Sequence, residues 1–515
     1  MPRFFNTTGP NDPQRHYTLP VLERLPNVRE LIDNGLYFVV HAPRQVGKTT
    51  TLSTLAKELT AEGQYTAVHV SAEMGAGYLH DPPAAELAIL ESFRRSAMMR
   101  LPAELHPPPF PDVAPGARIH TALSVWAQAS PRPLVVFIDE IDALEGSLLI
   151  SVLRQIRAGF ADRPKGFPWS LALIGMRNVR DYKIASGGVD RSHSASPFNI
   201  AAKALTLGNF TREEVGALYA QHSEETGQVF LPDAVDRAYE LTQGQPWLVN
   251  ALAAECIDAL VRDRKKPVEL SHIERAKEIL IRRQDTHLDS LAERLREPRV
   301  RAIIEPMLIG DYRGDIPDDD IRFITDLGLM RMDEKRRMDV ANPIYREIIV
   351  RHLSSAMETG LPSIRPTWLT PEGKLNKEAL LESFLEFWRQ HGEPLLKSAP
   401  YHEAAPHLVL MAFLHRVVNG GSIDREYAIG SGRLDLCVRY AGEILPIELK
   451  VWRDGKPDPE REGLKQLDGY LAGVGQDSGW LVIFDKRSGI KPVEERTESH
   501  EGVTPSGKRV IVVRA

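Results

Sequence analysis

The chain has 515 residues, 43% of them hydrophobic and 26% charged, and carries a net charge of −6. At roughly 150 residues per domain this length allows about three domains, each with room for an ordinary core. The mild acidity excludes a globally basic nucleic-acid-binding protein but leaves local basic patches open. The two cysteines, Cys256 and Cys437, are far apart and sit in apolar patterns, which argues against a disulfide or a thiolate metal set and for a reducing compartment. No run reaches the roughly 18 apolar residues of a membrane span, and no signal-peptide core follows Met1, so the expectation is a cytoplasmic protein with no membrane partner.

Residues 1–34 read as a loop over Thr8–Pro13 followed by a helix around Val28–Ile32. His16 and Tyr17 are candidates to pack against an adenine, with plain packing as the competing account. Leu36–Val40 is a short apolar run of the kind that forms a buried parallel strand. It runs into Ala42, Pro43, Arg44, Gln45, Val46, Gly47, Lys48, Thr49 and Thr50, and then into Leu52, Leu55, Ala56 and Leu59 at helical spacing. Strand, tight loop and helix form the context of a phosphate-binding loop, with Ala42 in place of the first glycine. The N–H groups of Val46 to Thr49 would face phosphates at the helix N-terminus. Lys48 would reach the β- and γ-phosphates of ATP, and the Thr49 hydroxyl would serve Mg²⁺.

Tyr65–Val70 is the next strand and Ala84–Met99 a helix. Leu101–Pro115 holds six prolines and reads as a surface excursion. After a helix over Ile119–Gln128, Pro133–Asp142 is a buried strand ending in acids. Asp139 would hold Mg²⁺ and Glu140 would polarise an attacking water. Asp142 is expected to cap a helix over Leu144–Phe160. Trp169–Gly175 is a further strand. Beyond its end, Asn178 or Arg177 is placed to sense a γ-phosphate or, equally, to cap a turn. Arg180 and Arg191 are candidates for an arginine acting on a neighbouring subunit, against the plainer reading of solvated side chains.

Residues 204–256 read as all-helical, with a capping box over Thr211–Glu214 and a turn at Gly244 and Pro246. Ser271–Arg301 is helical and charge-balanced. A helix over Asp318–Leu327, a hairpin with Arg336 and Arg337 near its tip, and a helix from Asn342 suggest a winged-helix module. Such a module binds DNA or serves as a lid. A proline-marked linker then leads to helices over Leu380–Trp388 and Ala404–Val418.

The last region carries a second constellation. Asp435 lies on one strand, and after twelve intervening residues Glu448-Leu449-Lys450 lies on the next. Glu448 and Lys450, two apart, share one face of that strand. Carboxylates embedded among Leu445, Ile447, Leu449 and Val451 need a partner or a metal. Asp435 and Glu448 would hold Mg²⁺ or Mn²⁺, with Glu403 as an added ligand, and Lys450 would orient water or offset phosphate charge. Gln466 and Tyr470, on the following helix, are candidates to line the site. Trp480–Phe484 is a core strand.

On these residues, 35 to about 355 resemble the archaeal-type ATPases of the STAND branch of AAA+ proteins. The matching stretches are Ala42–Thr49, Phe137–Glu140, Ser196–Asn199, Leu207–Thr211 and the Gly244–Pro246 turn. Residues 375–490 resemble the PD-(D/E)XK nuclease superfamily through Gly432–Asp435, Glu448–Lys450 and Gln466. The first resemblance implies an α/β P-loop core of three layers (35–202), a helical lid (203–270), a winged helix (271–356) and ATP-driven switching through homo-oligomers. The second implies, after a linker (357–374), an α/β domain (375–515) that is a metal-dependent phosphodiesterase on DNA, less often RNA. Such fusions are linked to defence or mobile-element control. The chain departs from the first pattern at Ala42 and in having no assigned arginine finger. The competing reading is a nucleotide-switched signalling or nucleic-acid-binding protein whose C-terminal fold binds without cutting. The intact Asp435, Glu448 and Lys450 favour the enzyme.

Overall fold

The computed structural model describes residues 2–20, 22–176, 200–283, 288, 291, 294–295, 297–308, 316–332, 338–358, 368–370, 374–398, 405–417, 422–429, 432–440 and 442–515. At 22, 305–308, 350, 352–358, 393–398, 405, 407–408, 415–417, 422–429 and 432–435 it describes the backbone alone. The chain forms two compact units. One comprises Met1–Leu291 with Ile316–Arg346, the other Ala292–Asp315 with Glu347–Ala515. No helix of the described residues is long and apolar enough to cross a membrane.

The first unit is built on five strands: β1 (Tyr37–His41), β2 (Thr66–Ser71), β3 (Leu134–Asp139), β4 (Ser170–Gly175) and β5 (Ala201–Thr206). All pair in parallel, in the order β2-β3-β4-β1-β5. Helix α1 (Val28–Asp33) precedes β1, and α2 (Lys48–Ala61), α3 (Pro82–Arg100), α4 (Arg118–Ala129) and α5 (Gly146–Ala158) lie between the strands along the chain. The side-chain alternation of a strand explains the layering. Tyr37 and Val39 join α3, α4 and α5 in one apolar cluster, while Phe38 and Val40 join Leu52, Leu55 and Leu59 of α2 in the other. A sheet covered on both faces reads as continuous apolar runs, as β1 and β3 do. It is an α/β core of the kind a phosphate-binding loop requires.

Helices α6 (Arg212–Thr226), α7 (Pro232–Thr242), α8 (Pro246–Glu255) and α9 (Leu270–Arg283) follow. Thr211 caps α6 reciprocally. Its hydroxyl accepts the Glu214 N–H at 3.2 Å, and the Glu214 carboxylate accepts the Thr211 N–H at 2.7 Å. Two local expectations change. Residues 204–206 belong to β5 and not to a helix, because pairing with β1 overrides the helical preference of Ala204 and Leu205. Asp142 does not cap α5. Glu145 occupies that position, and Asp142 instead accepts the Met176 N–H at 3.2 Å. His16 and Tyr17 are taken up in packing. The Tyr17 hydroxyl meets His222 Nδ1 at 3.1 Å and its ring lies against Phe5, while His16 Nδ1 accepts the Asp12 N–H at 2.9 Å.

After α10 (Pro298–Leu308), which belongs to the second unit, the chain returns to the first with α11 (Asp318–Asp326) and the antiparallel pair β6 (Met330–Met332) and β7 (Met338–Val340). The boundary at Arg346 falls inside α12 (Pro343–Glu358).

The second unit continues with α13 (Lys377–Ser398), α14 (Ala405–Val417), β8 (Ser422–Ile429), β9 (Gly432–Tyr440), β10 (Glu443–Trp452), α15 (Glu460–Val474), β11 (Trp480–Asp485), α16 (Val493–Arg496), β12 (Glu498–Val503) and β13 (Arg509–Arg514). Its six-stranded sheet runs β12-β13-β11-β10-β9-β8. Strands β8, β9 and β10 pair antiparallel, while β10, β11 and β13 pair in parallel, with α15 as the crossover from β10 to β11. One sheet face packs Cys437, Leu481, Ile483, Val510 and Val512 against Leu467 and Leu471 of α15.

Candidate functional site

The first site sits at the carboxyl ends of β1 and β3, with β4 between them. Val39 and Ile138 both register with Leu173, so the two strand ends lie level. The loop after β1 turns through Gln45 at φ 58° and Gly47 at φ 97°, and α2 starts at Lys48. A side chain at Gly47 would be strained in this left-handed conformation. Ala42 has no positive φ, so the one departure from the glycine pattern falls where no glycine is needed. Ala42 is instead buried, with its N–H on the Gly175 carbonyl at 3.2 Å.

Lys48 is 8% exposed, and its Nζ donates to the Ala42 and Pro43 carbonyls at 2.8 and 2.9 Å. Burial lowers its pKa, with Glu140, Asp139 and Asp142 opposing the shift. The Thr49 hydroxyl donates to Asp139 Oδ2 at 2.7 Å. This brings together two hard oxygen donors from residues ninety apart, the donor chemistry that suits Mg²⁺. Glu140 stands beside them in a left-handed conformation at φ 54°, its N–H on Asp139 Oδ1 at 2.9 Å. Burial, reinforced by Asp139 and Asp142, pushes the Glu140 carboxyl above the ordinary range, with Lys48 opposing. Arg44, Gln45, Val46 and Thr50 complete the loop and the first turn of α2. The Thr50 hydroxyl accepts the Asn11 N–H at 3.0 Å. Arg177, Asn178, Arg180, Arg191 and Ser196–Asn199 lie outside the described residues.

Sequence reasoning missed two neighbours of this site. His69 on β2 contacts Asp139, and Arg100 contacts His69. Both are single residues without a motif. The third unforeseen feature is the return of α11. Asp326 Oδ1 lies 3.7 Å from His41 Nδ1, and a Cβ at Gly328 would stand 2.5 Å from Pro43 Cβ. Gly328 also has φ 75°. Gly328→Ala should therefore cost about 2 kcal/mol or more and displace Pro43. Urea unfolding and ATP-analogue titration of the variant should both register it, and unchanged values in both would contradict this packing.

In the second unit Glu448 is 2% exposed, and Lys450 Nζ donates to its Oε1 at 2.7 Å. In parallel register Glu448 faces Leu481 and Lys450 faces Ile483, which places both on the α15 side of the sheet. Gln466 lies on α15, with its Oε1 buried and without a hydrogen-bond partner, and Tyr470 packs on the same apolar cluster. For Asp435 the backbone alone is described. The register through Ile447↔Leu436 sets it opposite Glu448. The register through Arg425↔Leu436 and Tyr427↔Leu434 sets Glu426 opposite it on β8. Glu403, Arg336 and Arg337 lie outside the described residues. Among the described residues no group of three or more His, Cys, Asp or Glu is assembled for a metal.

No protein-family model matches the chain, and no curated protein matches it in sequence. In structure it is similar to the Walker-type ATPase PABY2304 of Pyrococcus abyssi, at 14% identity and TM-score 0.46 over 67% of this chain and 99% of that one. It is also similar to the Aeropyrum pernix ORC2 protein in its ADPNP–ADP complexes, at 13% identity and TM-score 0.37 over 64% of this chain and 91% of that one. A third similar structure is the Thermotoga maritima RuvB Holliday junction branch migration motor, at 14% identity and TM-score 0.35 over 64% of this chain and 93% of that one.

Proposed function

We propose that the first unit binds and hydrolyses ATP and that this turnover governs a metal-dependent nuclease in the second. The observation that carries the ATPase reading is the 2.7 Å contact of Thr49 with Asp139 at the mouth of a loop led by Lys48. Lys48 exchanges its two loop carbonyls for phosphate oxygens. The N–H groups at the start of α2 have no preceding turn to accept them and are free to face the phosphates. Thr49 and Asp139 hold Mg²⁺, which spreads the negative charge of the phosphates when bound. Glu140 accepts a proton from the attacking water and orients it in line.

Glu140 must be ionised to act, and its pKa is raised. Turnover should therefore fall, as pH drops, at a higher pH than an ordinary glutamate would give. Glu140→Gln should lower kcat by about a hundredfold and leave ATP affinity near wild type. Phosphate release by the full chain across pH checks both, and a variant that turns over like wild type would remove Glu140 from this role.

For the second unit, the buried Glu448 carrying Lys450 supports a phosphodiesterase site. Glu448, with Asp435 on the facing strand, holds Mg²⁺ or Mn²⁺. Lys450 steadies phosphate charge, and Gln466 lines the face. Glu403 is proposed as an added ligand and Asn178 as a γ-phosphate contact. DNA is the proposed substrate, with RNA the alternative, and nucleotide binding is proposed to drive assembly of a homo-oligomer. The domain limits proposed are those of the sequence reading (core 35–202, lid 203–270, winged helix 271–356 and nuclease 375–515), except that β5 carries the core to Thr206.

A further inference from the structure

His69 lies two residues before the end of β2, and its side chain is only 4% exposed. Its Nε2 is 2.9 Å from Asp139 Oδ2. On the opposite side of the ring, Nδ1 is 2.6 Å from a guanidinium nitrogen of Arg100, which also donates to the His69 carbonyl at 2.8 Å. A guanidinium offers hydrogen-bond donors and no acceptor. Nδ1 must therefore present its lone pair, and the ring proton is held on Nε2, directed at Asp139. The tautomer of a histidine is set by the bond its other nitrogen makes, and here Arg100 at the end of α3 sets it.

Asp139 thus receives three donors. Oδ2 accepts from His69 and from the Thr49 hydroxyl, and Oδ1 accepts the Glu140 N–H. Donors on both oxygens fix the carboxylate plane. When Thr49 turns its hydroxyl proton away to serve as a metal donor, the bond from His69 is what remains to hold Oδ2 in place. Filling the core needs only an apolar side chain at position 69, as Ala67 supplies two residues earlier on the same face of β2. A ring bonded at both nitrogens does more than fill.

We propose that His69, locked as the Nε2–H tautomer by Arg100, is a positioning residue that orients Asp139 toward the Mg²⁺ of Mg·ATP. This rests on the ATPase reading. Partners of this kind behind a metal ligand typically change metal affinity or activity by about 10- to 100-fold.

The test uses the full chain with His69→Ala, His69→Gln and Arg100→Ala. Calorimetry measures the affinity for a non-hydrolysable ATP analogue with Mg²⁺ and with EDTA, and steady-state assays give kcat and KM for ATP. His69→Ala should lose about tenfold of the gain in affinity that Mg²⁺ confers, keep its affinity in EDTA, and lose kcat with KM little changed. His69→Gln should restore most of both, because its amide oxygen can accept from Arg100 while its NH₂ group donates to Asp139. Arg100→Ala leaves the buried ring in place and removes the lock on Nδ1 together with the bond to the His69 carbonyl, so it should show the same loss in weaker form. That variant keeps the test decisive if His69→Ala does not fold. A wild-type Mg²⁺ gain in His69→Ala or in Arg100→Ala overturns the proposal, as does a His69→Gln as defective as the alanine variant. The ATPase reading fails separately, if the unaltered chain shows no affinity for the analogue under either condition.

Discussion

Lys48→Ala will lose ATP. Its ammonium is buried and donates to the Ala42 and Pro43 carbonyls. On the proposed reading, phosphate oxygens replace those carbonyls with full negative charge, a stronger partner for a cation out of water. Truncating one member of such a buried charged pair costs about 3 kcal/mol, or roughly a hundredfold in affinity. The fold should persist, because the loop is also held by the Ala42 N–H on Gly175 and by the Arg24 side chain on the Val46 carbonyl at 3.1 Å. Titration with a fluorescent ATP analogue measures the loss, and circular dichroism confirms the fold. The second unit should keep its own chemistry in this variant but lose its dependence on nucleotide. A Lys48→Ala chain that binds and hydrolyses ATP normally would mean that the loop has another purpose.

Asp435→Ala and Lys450→Ala should abolish DNA cleavage. Lys450 pairs with the Glu448 carboxylate at 2.7 Å, and it sits two residues along the same face. In the proposed reaction it offsets charge that develops on the phosphate. Removing one such preorganised donor typically costs a hundredfold or more in rate, on the order of 3 kcal/mol. Asp435→Ala removes a metal ligand, so added Mn²⁺ should not restore it. Plasmid and oligonucleotide substrates with Mg²⁺ or Mn²⁺, with and without ATP, give the readout. ATP hydrolysis in the same samples should match wild type, which separates a lost nuclease from a lost fold. If both variants cut as the unaltered chain does, the phosphodiesterase assignment is wrong. If no metal or substrate yields cleavage by any form, the second unit is a binding module and the competing signalling reading stands.

The parts of the first unit that were legible in the sequence are those where local pattern and tertiary need agree. Val39 and Val40 run into Gly47 and Lys48, and Phe137 and Ile138 run into Asp139, so strand, turn and helix each carry their own signal. Strand β5 carries none. Ala201–Thr206 is mostly exposed and rich in helix formers, and only pairing along the β1 edge makes it a strand. Asp142 reads as a cap because acids before an apolar helix usually are. The turn after Glu140 carries the chain past it, and Glu145 takes the position. His69 and Arg100 could not have been found, since they meet only when α3 lies along β2. In the second unit the spacing of Asp435, Glu448 and Lys450 was readable along the chain. Glu426 was not, because its place beside Asp435 depends on the register between β8 and β9.

The return of Ile316–Arg346 to the first unit sets the order in which that unit can be completed. Protein synthesis runs from the amino terminus at about 5–20 residues per second. The phosphate loop therefore leaves the ribosome long before Gly328, the residue that closes on Pro43. In that interval β1 and α2 can form, but the loop between them has no cover. The segment that supplies the cover follows α10, which belongs to the other unit, so the nascent chain must begin the second unit before it can finish the first. A messenger cut short after Leu291 would encode every residue of the loop after β1 and still release a chain in which Pro43 lacked its packing against Gly328.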